Sequence, residues 1–134
     1  MEQYKVDYLL WADAASVDNF GKLNALGIFK NIFISKLPGS ILKFVLICSI
    51  SLENPNKPLD VDIKIKDSKN NDLDVKPKLS FPFKPQEGNK DKNINLMIDL
   101  INLEFKMFGQ YNIEVYVNGK KIYTAPLEVI EKKV

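Results

Sequence analysis

Apolar and polar residues alternate with period two along most of this chain, and clusters of Gly, Pro, Asn and Asp divide the alternating runs. Such alternation turns one side of an extended segment toward a core and the other toward water. The clearest case is Leu59, Val61, Ile63 and Ile65 interleaved with Asp60, Asp62, Lys64 and Lys66, which predicts a strand over 59–66. A polar turn follows at Asp67 to Asp72. Leu73, Val75, Leu79 and Phe81 continue the pattern, but Pro77 and Pro82 lack a ladder donor and predict an edge strand or irregular segment. Near the C-terminus, Tyr111, Ile113, Val115 and Val117 lead into Asn118-Gly119 and then 120–130, the signature of a two-residue hairpin with a type I′ turn. Ile94, Leu96, Ile98 and Leu100 share one parity while Ile101, Leu103 and Phe105 share the other, which predicts a bend or bulge near Leu100.

The N-terminal half has extended candidates over Tyr4–Ala15, Leu23–Leu37 and Ile41–Leu52, broken at Asn19 to Lys22 and at Leu37 to Ser40. In Leu23–Leu37 both parities are apolar, as in a central strand or one that switches sheets. Two stretches, Glu53 to Pro58 and Lys84 to Lys92, are too rich in Pro, Gly and charge to bury much apolar area and are expected as exposed loops. No amphipathic helix, internal repeat or linker appears. About 7–9 short strands predict an all-β chain, a two-sheet antiparallel β-sandwich of immunoglobulin-like type, forming a single domain over 1–134.

Composition narrows the chemistry. A chain of 134 residues, 46% of them apolar, is long enough to bury roughly two-thirds of its unfolded surface. It holds no histidine, which excludes Ser-His-Asp and Cys-His nucleophile pairs and imidazole-ligated metals. A single cysteine makes neither a disulfide nor a thiolate zinc site. All 19 basic residues are lysine, nearly balanced by 17 interspersed acids, whereas nucleic-acid binders gather basic residues on one face and favour arginine for bidentate readout. The apolar runs Tyr8 to Ala12 and Phe44 to Cys48 are far shorter than the roughly 20 residues that cross a bilayer. With no visible signal peptide and one cysteine, the expected compartment is the cytoplasm.

Ala12-Asp13-Ala14-Ala15-Ser16-Val17, then Gly21-Lys22-Leu23-Asn24-Ala25-Leu26-Gly27-Ile28-Phe29, resembles a family of small uncharacterised bacterial proteins. Pro38, Phe108-Gly109-Gln110-Tyr111 and the Val117-Asn118-Gly119 hairpin extend the resemblance over nearly the whole chain. It implies an immunoglobulin-like sandwich with no established reaction or ligand. The turn at Asp67 to Asp72 departs from the family by lacking an Asp-Gly pair. Independently of the resemblance, Gly21, Gly27 and Gly109 are expected at turns, bulges or close backbone approaches, and Tyr111 at a corner where its ring is buried and its hydroxyl meets backbone.

Candidate chemistry is sparse. Asp60, Asp62, Asp67, Asn70, Asn71, Asp72 and Asp74 supply calcium-type oxygens, yet Asp60 and Asp62 alternate with lysines as a solvated strand face does. Cys48, inside Val45 to Ile50, reads as a small buried hydrophobe. Asp7 and Asp13 stand roughly 20 Å apart on an extended segment, too far for an acid/base pair. Trp11, in phase with Asp7 and Asp13, and Tyr116, in phase with Asn112 and Glu114, are the candidate binding residues if alternation points both away from the core; the alternative, weighted above a binding patch, is that Trp11 fills a sandwich core and Tyr116 covers an exposed sheet. No catalytic residue, metal or cofactor is expected. The leading expectation is a non-enzymatic protein-interaction or accessory module that contacts a protein partner, with self-association open and neither nucleic acid nor membrane involved. The alternative is a small-ligand or carbohydrate-binding module using exposed aromatics and polar loops.

Overall fold

The computed structural model describes residues 4–54, 56–73, 75, 79–84 and 92–133. Its described elements are all strands: β1 (Tyr4–Val17), β2 (Leu23–Phe29), β3 (Asn31–Ile34), β4 (Gly39–Leu52), β5 (Leu59–Lys66), β6 (Ser80–Phe83), β7 (Asn93–Phe105), β8 (Gly109–Val117) and β9 (Lys120–Glu131). They form a four-stranded sheet in the order β2-β1-β4-β7 and a five-stranded sheet in the order β3-β9-β8-β5-β6. The second sheet curls toward a half-barrel. No helix among the described residues is long and apolar enough to cross a membrane.

Most of the sequence pattern is realised. β5 coincides with the alternating run 59–66, its apolar residues buried and Asp60 and Lys64 exposed. Asn118 and Gly119 both take positive φ, 51° and 82°, as the two-residue hairpin requires. The phase change near Leu100 occurs at Asn102, whose φ of 54° lets Leu100 and Leu103 both face the core. Pro82 lies in β6, an edge strand; Pro77 and Asp74 fall outside the described residues, as do Pro55 and 85–91 of the two expected loops.

Two expectations are corrected. The candidate strand Leu23–Leu37 divides at Lys30 into β2, on the rim of one sheet, and β3, on the rim of the other; the chain switches sheets but is central in neither. The two sheets are also not wholly antiparallel, because β3 runs parallel to β9 from Asn31↔Glu128 to Ile34↔Glu131. A single residue between β2 and β3 leaves no room for a hairpin, so the chain carries its direction across the gap.

The inner faces of both sheets make one core that includes Phe44, Leu46, Phe105, Tyr111, Ile113 and Leu127. β4 lies between β1 and β7 and is buried on both sides from Phe44 to Ile50; Val45 and Ile47 join Ala12 in a smaller cluster on the outer face, flanked by Leu10 and Leu23. Tyr111 takes the corner role: its ring meets Phe105 edge-on at 5.2 Å and its hydroxyl donates to the Met107 carbonyl at 2.9 Å.

Turn chemistry repeats. The Asp18 carboxylate accepts from the amides of Phe20 and Lys22, with Gly21 at φ 78°. The Asp67 carboxylate accepts from those of Lys69 and Asn71, with Asn70 at φ 66°. Asn70 thus takes the left-handed position that glycine fills in the first turn, so the missing Asp-Gly pair leaves the turn intact.

Two outcomes are expected. Burial pushes the Cys48 thiol up to about 12, reinforced by the nearby Asp7 charge. Iodoacetamide should leave Cys48 unmodified in native protein near neutral pH and alkylate it readily in denaturant, read by intact mass. Tyr111→Phe should lower unfolding free energy by about 0.5–1.5 kcal/mol in urea titrations, because the part-buried hydrogen bond to the Met107 carbonyl is lost.

Candidate functional site

The first region lies on the outer face of the five-stranded sheet. Period two sends Asp62, Lys64 and Lys66 of β5 and Asn112, Glu114 and Tyr116 of β8 to that face, and register sets Asp62 opposite Tyr116 and Lys64 opposite Glu114. The Tyr116 hydroxyl donates to Glu114 Oε1 at 2.7 Å, and Lys121 Nζ lies 3.4 Å from Glu114 Oε2. Lys64 Nζ stands 5.0 Å above the Tyr116 ring, and Lys66 pairs with Asp72 at 3.1 Å. A cavity of about 420 Å³ adjoins this network, lined on its polar side by Asp62, Lys64, Asp72 and Tyr116 and on its apolar side by Ile63, Ile65, Leu73, Val75 and Leu79.

Tyr116 is half-buried and outside the core, where alternation places it, but Glu114 in the same phase is only 7% exposed. Burial pushes its carboxyl up, while the Tyr116 hydroxyl and the Lys121 ammonium outweigh that effect and hold its pKa below the ordinary 4.5. The Tyr116 hydroxyl is raised in return, chiefly because it donates to that carboxylate.

Trp11 requires a correction. It is 3% exposed and packs on Phe44 with ring centroids 5.7 Å apart. The register of β1 on β4 slips between Val6 and Tyr8, inserting Asp7 as an extra residue. That bulge moves the core-facing side of β1 from even positions to odd ones, so Leu9 and Trp11 turn inward. The phase shared with Asp7 and Asp13 therefore does not mark a wet face. Asp7 approaches the Ser51 hydroxyl, and Asp13 falls opposite Gly27, between the pairs Ala12–Ile28 and Ala14–Leu26.

Part of the acidic loop set has partners of its own, and Asp74 lies outside the described residues. The Asp67 carboxylate is taken by two backbone amides and Asp72 by Lys66, while Asp60 lies exposed on β5; no group of three metal-ligating side chains occurs among the described residues.

The second region was not legible as a site in the sequence. β2 ends the four-stranded sheet, pairs on one side with β1 and is exposed on the other; Leu26 is 73% and Ile28 56% exposed on it, and Phe33 is 57% exposed on β3. Two pockets of about 430 Å³ each flank the β2–β3 crossing. Ile28, Phe29 and Asn31 line both, with Phe44 and Asp13 completing one and Trp11 and Tyr123 the other. The sequence signal is the uncharged run Leu23-Asn24-Ala25-Leu26-Gly27-Ile28-Phe29, apolar at both parities, which a rim strand explains as well as a central one.

The model of a family of unknown function, DUF6941, matches residues 7–130. No curated protein sequence matches. Among solved structures, the chain is similar to the Pseudomonas fluorescens alkylpurine DNA glycosylase AlkC bound to DNA containing an abasic site analog, at TM-score 0.54 and 14% identity over 95% of this chain and 30% of that one. It is also similar to the beta-glucosidase from Listeria innocua in complex with glucose, at TM-score 0.52 and 9% identity over 100% of this chain and 16% of that one. The chain thus spans less than a third of either protein, and at these identities the likeness is one of fold.

The sign of the Glu114 shift sets an acid-side test. A carboxyl whose folded pKa is lowered contributes stability above its unfolded value and loses it as pH falls through the folded one. Glu114→Gln should destabilise the protein near neutral pH, and the gap to the unsubstituted protein should close below about pH 4 in urea midpoints measured across pH.

Proposed function

The chain belongs to the family of unknown function DUF6941, and from that premise we propose that it is a non-enzymatic, immunoglobulin-like interaction or accessory module of the bacterial cytoplasm. Its contact surface is the β2 rim, where an extended segment of a protein partner adds to the four-stranded sheet. The carrying observation is β2 itself: a rim strand of seven residues without charge or proline, bearing exposed Leu26 and Ile28. Soluble sheets ordinarily blunt such rims with lysine, proline, bulges or short length. Main-chain bonds to the free side of β2 supply affinity in strand addition, and the flanking pockets take alternate side chains.

DNA and membrane stand outside this reading. The basic residues are all lysine and mixed with nearly as many acids, without the patch that phosphate binding needs. What AlkC binds belongs to AlkC.

One observation favours a second reading, a small-ligand or carbohydrate site: the 420 Å³ cavity beside Tyr116, with carboxylates of Asp62 and Asp72 at its wall. It ranks second because the ring face already carries the Lys64 ammonium and Glu114 is already satisfied.

Affinity capture from the native host, read by mass spectrometry, separates the two. Ile28→Asp should keep its melting temperature, since residue 28 is exposed, and lose the captured partner, whereas Tyr116→Ala should keep it. Loss with Tyr116→Ala alone, or no partner for any folded form, overturns the rim reading.

A further inference from the structure

Resting on the rim reading, the pocket between β2 and β3 defines what the partner strand carries. Asp13 stands on the core-facing side of β1, two residues beyond Trp11 in the same phase, where the sandwich opens. Around it the pocket is mainly apolar, walled by Ile28, Phe29, Ile32, Phe33 and Phe44, with Asn31 the other polar side chain on its lining. Gly27 opposite makes the arrangement feasible: its φ is 72°, and a β-carbon there would collide with the Asp13 carboxylate. Among the described residues Asp13 makes no hydrogen bond or ion pair. An anion therefore lies at the mouth of an apolar pocket of about 430 Å³, within the range of pockets that take side-chain-sized ligands.

We propose that this pocket receives a lysine side chain from an extended partner segment paired with β2. Four methylenes of lysine lie on the Phe29 and Phe44 wall, and the ammonium meets Asp13, as long cationic side chains place their stems on apolar surface and their heads at the rim. The partner differs from a second copy of this chain. Two β2 strands meeting antiparallel about Leu26 would set Lys22 opposite Lys30, and like charges directly across a ladder repel.

The test uses two blocked pentapeptides, Thr-Val-Lys-Val-Thr and the same sequence with norleucine in place of lysine, titrated into the full chain with amide shifts followed by NMR. The lysine peptide should shift Asp13, Gly27, Ile28 and Phe33 saturably and bind about tenfold more tightly than the norleucine peptide, a preference that Asp13→Asn abolishes while the melting temperature holds. Equal binding of both peptides, unaffected by Asp13→Asn, overturns the lysine assignment and leaves strand addition standing. No saturable shift with either peptide up to about 5 mM also overturns it; the rim reading then falls only if Ile28→Asp retains the partner captured from the host. Concentration-dependent dimers that Ile28→Asp dissolves would assign the rim to a second copy and overturn the proposal.

Discussion

Phe44 lies 5.7 Å from Trp11 and 5.8 Å from Phe29, ring centroid to centroid, and this three-ring contact joins β1, β2 and β4 where the chain leaves one sheet for the other. Tilted and edge-on rings at such distances add about 0.5–1.5 kcal/mol per pair beyond the area they bury. Their consequence here is positional. Trp11 holds β1 in the phase that carries Asp13 along the same side, Phe29 pins the last residue of β2, and Phe44 makes the wall shared by the core and the pocket. Were Trp11 outside, that wall would be absent and the β2 rim would lose its backing.

Local rules recovered the elements that depend on local chemistry. β5 is bounded by its own alternation, the hairpin by Asn118-Gly119, and the change of phase at Asn102 in β7 by the parity change around Leu100. The aspartate turns at Asp18 and Asp67 belong to the same class, each closed by one carboxylate on two amides close in sequence. Long-range pairing decides the rest. Trp11 flanked by Asp7 and Asp13 reads as wet only while β1 keeps one phase. The bulge that breaks this phase exists because β4, more than thirty residues away, pairs Val6 with Ile50 and Tyr8 with Ser49. Tyr116 lies outside the core, on the face that alternation within β8 predicts; the pairing of Glu114 with Lys121 of the next strand is something that alternation within β8 does not contain.

The division of Leu23–Leu37 shows the same limit from another side. An apolar run at both parities reports that both faces meet something apolar, without saying whether that is a neighbouring sheet or an absent molecule. In β4 the run is central, covered on one face by the main core and on the other by the smaller cluster of Ala12, Val45 and Ile47. In β2 a comparable run ends the sheet, and while Leu23 and Phe29 pack against the two clusters, Leu26 and Ile28 stand in water.

Protection of the remaining rims sharpens that contrast. β6 is four residues long and contains Pro82, β3 is four residues long, and β7 carries Asp99 and Glu104 with a left-handed residue at Asn102. Each of these devices discourages pairing with another chain. β2 has seven residues and only one of them, the left-handed Gly27, and that glycine clears the space into which Asp13 projects beside the pocket. A rim made safe by twisting alone would be served by glycine with any neighbour; here a β-carbon at residue 27 would also collide with the Asp13 carboxylate, which stays exposed to solvent while lining the pocket beside Phe29 and Phe44. The proposed addition of a partner strand whose cation meets Asp13 is consistent with both features, the unblunted rim and the glycine that clears space for the carboxylate.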